Sequence, residues 1–260
     1  MNTPPRPLHV GHFPMSVRHF LTHAQQYLQR GDVVLLKGKA SIYSWAVRWW
    51  TKSEFSHAAL VFSVPSTEDG FERTFLIEAS VDGVDITDLK HYARDLSLVY
   101  DLAIKRCEQP WMTIDVQRSI RGHMLNYIKA NYDYWTVLGF LRRVIRMGRP
   151  EHHDPDLASV QRRALWRRQP PARFVCSGFV QYGYVSAISR LIQTRQLPKD
   201  AIGQVMFKPG LSPDAEPGEI LSTTPEDLAN SERLTWKYAI HRGHVYEVSN
   251  YDAVRQTFVL

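Results

Sequence analysis

Cysteine is scarce in this chain: Cys107 and Cys176 are the only two among 260 residues. Neither has a second cysteine at metal-ligand spacing, which argues against a cysteine-based zinc site, and two thiols make no disulfide framework. No uninterrupted apolar run approaches the roughly 18 residues of a membrane span. The opening "MNTPPRPLHVGHFPMS" lacks an apolar core of leader length. On these grounds the chain is expected to be cytoplasmic. Repeats and low-complexity tracts are missing as well, so the sequence does not read as a solenoid or a disordered tail. What remains is an ordinary globular balance, with 44% hydrophobic and 22% charged residues.

The net charge is +6, and much of the excess lies in "LRRVIRMGR" (141–149) and "QRRALWRRQ" (161–169). These segments are candidates for contact with an anionic surface. No nucleic-acid motif accompanies them, so no nucleic-acid partner is expected. "EHHDPD" (151–156) gathers His152, His153, Asp154 and Asp156, but without helical ligand spacing it reads as a solvated loop. Neither a metal nor a cofactor is expected.

Periodicity sketches the elements. Val17, Phe20, Leu21, Ala24 and Leu28 have helical spacing, which predicts an N-terminal helical extension over 1–30. "GDVVLLKG" (31–38), "HAALVFSV" (57–64), "RTFLIEAS" (73–80), "GVDITDL" (83–89) and "LSLVYDLAIKRC" (96–107) read as strands, the second and third joined as a hairpin. "SIYSWAVRWW" (41–50) reads as a helix with Ile42, Trp45, Ala46 and Trp49 on a core-facing stripe. Trp50 lies off that stripe and is the candidate for lining a groove. Helices are predicted over 113–132, 134–147 and from Cys176. A loop is predicted over 210–219, a helix starting at Thr224 and a final strand over 237–249. Strands gather in the first half and helices in the second, which makes the fold α+β, with residues 31–250 as a single domain.

"RFVCSGFVQYGY" (173–184) carries the chemistry. Cys176 opens a helix just after "QPP", where amide dipoles favour a thiolate. Ser177 and Gly178 are small, so backbone N–H groups near the thiol stay open to an oxyanion. On residues alone, Cys176 is either a buried structural thiol or a nucleophile. A nucleophile needs a base, and His57 begins a strand, where its ring can point off the sheet edge. Glu78 is a carboxylate inside the apolar strand "FLIEAS" and must have a partner. An antiparallel hairpin brings it near His57, where it would orient the imidazole.

Gly31-Asp32 before a strand, "SHAALV", "IEAS" followed by Gly83-Val84, "YD" at Tyr132-Asp133, the late "CSGFV" and "TTPEDLANS" (223–231) together resemble the circularly permuted NlpC-type papain-like hydrolases, the YiiX-like group. The likeness covers roughly residues 31–190, plus the 223–231 match. In that group the His strand precedes the Cys helix. The resemblance implies a papain-like antiparallel sheet packed on helices, with Cys176 as nucleophile, His57 as base and Glu78 as orienting acid. It also implies that Tyr132 or its neighbours help shape the oxyanion or substrate site. The group usually has Glu two residues after the Cys; here Gly178 stands there. The expected substrate is an amide in a cell-wall-type peptide, such as a peptidoglycan fragment. A lipid or ester acyl group is the alternative, and a binding module with a dead site is the rival of another class.

Overall fold

The computed structural model describes residues 13–39, 42–67, 70–80, 82–93, 99–128, 130–132 and 173–260. At Ile42, Tyr43, Ala46, Trp50, Asn131, Tyr132, Arg173 and Phe174 it describes the backbone. In chain order the elements are β1 (Met15–Ser16), α1 (Val17–Thr22), α2 (Ala24–Tyr27), β2 (Val33–Gly38), α3 (Ile42–Thr51), β3 (His57–Ser63), β4 (Phe75–Ser80), β5 (Gly83–Asp88) and β6 (Tyr100–Arg106). They continue with α4 (Ile114–Leu125), β7 (Asn131–Tyr132), β8 (Arg173–Phe174), α5 (Cys176–Gln193), α6 (Ala201–Gln204), α7 (Pro217–Leu221), α8 (Pro225–Asn230), β9 (Thr235–His241), β10 (His244–Glu247) and α9 (Tyr251–Thr257).

Eight strands form one sheet in the order β1-β10-β9-β6-β2-β3-β4-β5. Every pairing in it is antiparallel. The period-two alternation of its central strands divides the core into two layers. Val33, Leu35, Ala58, Leu60, Ile77 and Ala103 face a layer that contains α4 and α5. Val34, Leu36, Ala59, Val61, Leu76 and Ile104 face a second layer built by Val17, Phe20, Ala24 and Leu28. Both faces of β2 and β3 are therefore covered, which explains their nearly unbroken apolar runs. The α+β class is as expected.

Three sequence expectations are corrected here. Residues 15–27 do not form one helix: β1 pairs with β10, and the helix breaks at His23 into α1 and α2, which cover the sheet; residues 1–12 lie outside the described residues. The expected final strand is a hairpin, β9 and β10, turned by Arg242 (φ 46°) and Gly243 (φ 79°). On α3, Trp45 and Trp49 are not core. Trp45 is 58% exposed, and it stacks on a half-buried Trp49 with ring centroids 6.2 Å apart. Two smaller departures concern helix ends. The helix expected over 113–132 stops at Leu125, and Pro217–Leu221 is helical inside the expected 210–219 loop. The expected helix at 134–147, both basic segments and the 151–156 loop lie outside the described residues.

Buried polar groups pin this frame. Arg106 grips Asp32 with two bonds, Nε to Oδ1 and Nη2 to Oδ2, both 2.7 Å. Lys105 donates to the carbonyl oxygens of Leu228, Ala229 and Ser231 at 3.0, 2.6 and 2.9 Å and lies 4.4 Å over the Trp236 ring. That ammonium closes the C-terminal end of α8, whose orphan carbonyls attract a cation. The other end of α8 carries a capping box: Thr224 and Asp227 satisfy each other's backbone N–H groups. Among the described residues no helix is long and apolar enough to cross a membrane.

Candidate active site

The site begins with the β3–β4 hairpin. Leu60 pairs with Ile77 and Val61 with Leu76. Continued to the strand end, that register sets His57 across from Ser80, with Glu78 one diagonal step away on the same face. Diagonal neighbours on an antiparallel pair lie within reach of long side chains. The bond is made: His57 Nε2 to Glu78 Oε2 is 2.6 Å. Sequence alternation thus anticipated the pair correctly.

Glu78 is buried in a strand whose neighbours are apolar, so its charge needs several donors. Besides His57, the Tyr92 hydroxyl donates to Oε1 at 2.8 Å, and the Thr87 side chain lies near enough to help lower the carboxylate's pKa. Burial works to raise its pKa, but His57, Thr87 and Tyr92 together win and hold it below the usual range. Sequence reasoning missed Tyr92 and Thr87. Thr87 lies on β5, opposite Leu76, and no spacing within one strand announces a contact made across two.

Cys176 is the first residue of α5. Its N-cap, Val175, is extended (φ −94°, ψ 152°) and offers no side-chain cap. The first bond of the helix runs from Phe179 N–H to the Val175 carbonyl, so the amides of Cys176, Ser177 and Gly178 have no acceptor within the helix. Burial disfavours the thiolate, yet His57 and the nearby amides of Ser177 and, from β3, Ala58 outweigh it, and the thiol pKa falls below the ordinary value. His57 moves the other way. Burial alone would lower it, but Cys176 and then Glu78 push the imidazole up to about 10. With Nε2 taken by Glu78, Nδ1 is the nitrogen left for the thiol. The two shifts run in the directions that favour the proton on His57 over Cys176. Cys107 is the contrast: burial pushes its thiol up to about 12, and no imidazole hydrogen-bonds it.

The remaining site residues divide. The Ser177 hydroxyl is buried and donates to the Thr223 carbonyl at 2.7 Å, so its side chain holds the protein rather than a substrate. Its backbone N–H is the part that faces the thiol. Gly178 is fixed by packing: a Cβ there would lie 2.2 Å from the Leu221 carbonyl oxygen. The Tyr132 backbone pairs with Phe174 in the parallel β7–β8 ribbon, which brings it beside the segment leading into Cys176. Trp50 lies on α3, and its side chain is outside the description. A second His–acid pair, His241 Nδ1 to Asp101 Oδ1 at 2.8 Å, is buried, and Lys39 reaches the same oxygen from the surface. Among the described residues no cysteine, serine or threonine is bonded to it. Among the described residues no three His, Cys, Asp or Glu side chains gather as metal ligands.

No family model matches the sequence, and no curated protein matches it either. Among solved structures, the fold is similar to that of the metalloprotein yiiX from Escherichia coli O157:H7, at 16% identity and a TM-score of 0.46. The alignment covers 80% of this chain and 95% of that one.

Proposed function

We propose that this protein is a cysteine hydrolase of the amidase or peptidase type, working through Cys176, His57 and Glu78. What supports the reading is the buried 2.6 Å bond from His57 to Glu78, beside a Cys176 at a helix N-terminus whose thiol pKa the imidazole draws down. The Cys176 thiolate adds to the carbonyl carbon of the scissile amide. The oxyanion that forms is met by the open amides of the first turn of α5. The tetrahedral adduct collapses as His57 gives its Nδ1 proton to the departing amine, leaving a Cys176 thioester and a neutral imidazole. Water then loses a proton to Nδ1 as it adds to the thioester carbon, and the thiolate leaves with the acid product. Glu78 keeps the Nε2 proton in place throughout. The substrate we favour is a cell-wall-type peptide amide; a lipid or ester acyl group fits the same steps.

The pH dependence of iodoacetamide alkylation tests the site without a known substrate. An ordinary thiol gains about tenfold in rate per pH unit below its pKa. Cys176 is expected to label at a nearly constant rate from pH 7 to 9, while Cys107 stays unlabelled. A Cys176 rate that climbs steadily to pH 9 identifies a binding module with a dead site. For the live enzyme, Cys176→Ala abolishes turnover in a mass-spectrometric screen of peptidoglycan fragments and lipids, and the fragment consumed names the substrate class.

A further inference from the structure

The 3-10 turn Leu89–His91 follows β5 directly, and the Asp88 side chain caps it by accepting the Lys90 N–H at 2.8 Å. The next residue is Tyr92. Its ring is held edge-on against His91 and Tyr100, both with centroids 5.1 Å away. Among the described residues its hydroxyl bonds Glu78 and nothing else. The other groups facing Glu78 are His57 from β3 and Thr87 from β5. Asp85 pairs with Glu78 across the strands, but it is exposed, with its carboxylate turned onto the Ile86 N–H.

We infer that Tyr92 is a positioning residue whose hydroxyl dictates which atom of residue 78 meets His57, and through it whether the ring can take the Cys176 proton. The inference rests on Cys176 being an imidazolium-activated thiol. That ion pair needs both ring nitrogens protonated, and in this buried place the Nε2 proton must find an acceptor. A carboxylate accepts at either oxygen, so Tyr92 and His57 are both satisfied. A primary amide accepts at one end only and donates at the other. In an E78Q protein a Tyr92 hydroxyl that goes on donating claims the amide oxygen, and the NH2 is turned toward Nε2. Nε2 must then be the bare nitrogen. The neutral ring carries its proton on Nδ1, facing the thiol, and cannot accept another there. A hydroxyl that accepts from the NH2 instead leaves Nε2–H its acceptor, and the double variant then gains nothing over E78Q. Removing a donating Tyr92 hydroxyl frees the amide to turn over and present its oxygen to Nε2–H.

Tyr92→Phe is therefore harmful in the native protein and helpful in the E78Q background. In the native protein it strips a donor from a buried carboxylate. The acid limb of the Cys176 labelling profile is expected to move up by about one pH unit, because a hydrogen bond to a charged group is worth about that much. E78Q alone is expected to lower the Cys176 labelling rate at pH 7 by on the order of 100-fold, and E78Q/Y92F to recover about tenfold of that loss. A tyrosine that only fills space would lower the rate in both backgrounds.

The experiment measures iodoacetamide labelling of Cys176 by peptide mass spectrometry from pH 5 to 9 on wild type, Y92F, E78Q and E78Q/Y92F, with circular dichroism on each. Histidine 15N resonances report the His57 tautomer in the same samples. A double variant as slow as E78Q or slower overturns the inference. So does a Y92F profile whose acid limb stays at the wild-type pH, and that arm decides alone if E78Q does not fold. A wild-type Cys176 that labels as an ordinary thiol instead refutes the underlying reading of the site.

Discussion

Gly178 and Gly183 lie on the same helix, and the same substitution is expected to have different consequences at each. Alanine in place of glycine inside a helix gains about 1 kcal/mol from backbone entropy. At Gly183 the nearest atoms to the new methyl all belong to the Met124 side chain, with Cγ and Sδ each at 2.7 Å. Met124 is fully buried, but its thioether has three rotatable bonds and repacks more readily than backbone. Gly183→Ala is therefore expected to cost about 1 kcal/mol, the helix gain offsetting part of the repacking. At Gly178 the methyl meets backbone: the Leu221 carbonyl oxygen at 2.2 Å, its carbon at 2.9 Å and its Cα at 3.1 Å. To reach ordinary contact, α5 and α7 must separate by about 1 Å. Overpacking of that kind costs about 1–3 kcal/mol and more when backbone has to yield. Net of the helix gain, Gly178→Ala is expected to cost about 2 kcal/mol. With a urea slope near 3 kcal/mol/M, that lowers the unfolding midpoint by about 0.7 M with the slope unchanged. The separation also shifts the first turn of α5, so Cys176 labelling at pH 7 slows in Gly178→Ala and not in Gly183→Ala. Equal midpoints for the two variants would refute the packing argument.

Lys105 and Thr224 probe the two ends of α8. Burial draws the Lys105 ammonium down to about 7 from 10.5, against the pull of Glu226. Between those values the unfolded chain holds a proton that the folded chain has released, so this residue makes stability rise with pH across that window. Lys105→Met is expected to flatten that rise in denaturation midpoints measured from pH 7 to 10. It also leaves three buried carbonyls without their donor, at about 3 kcal/mol or more below pH 7. Thr224→Ala removes one half of the capping box and is expected to cost about 1 kcal/mol at any pH from 6 to 9, measured in the same titrations.

The sequence reveals most where one strand or helix carries its own signal. β2 through β6 were readable from apolar runs, and the Thr224 start from its capping residues. His57 and Glu78 were readable together because a hairpin turns two local patterns into one geometric statement. What could not be read depends on partners remote in sequence. A stripe such as Trp45–Trp49 marks a helix face without saying whether anything covers it. The 17–28 pattern is helical, but where the chain must bend at His23 to follow the sheet is decided by the sheet. Arg242-Gly243 lay hidden inside an alternating run, because a two-residue turn with positive φ at both positions leaves the period of two almost intact. Tyr92 comes from a turn between strands, and only the assembled sheet shows what it touches.

β1 is attached to the sheet through β10, with Met15 opposite Val245 and the Val17 N–H bonded to the Gly243 carbonyl. During translation β1 must wait for β10, far later in the chain, before it has a mate. Closures of that sequence separation are slow, and strands left unmated meanwhile invite association with other chains. A chain cut short before His244 therefore leaves β1 without a partner.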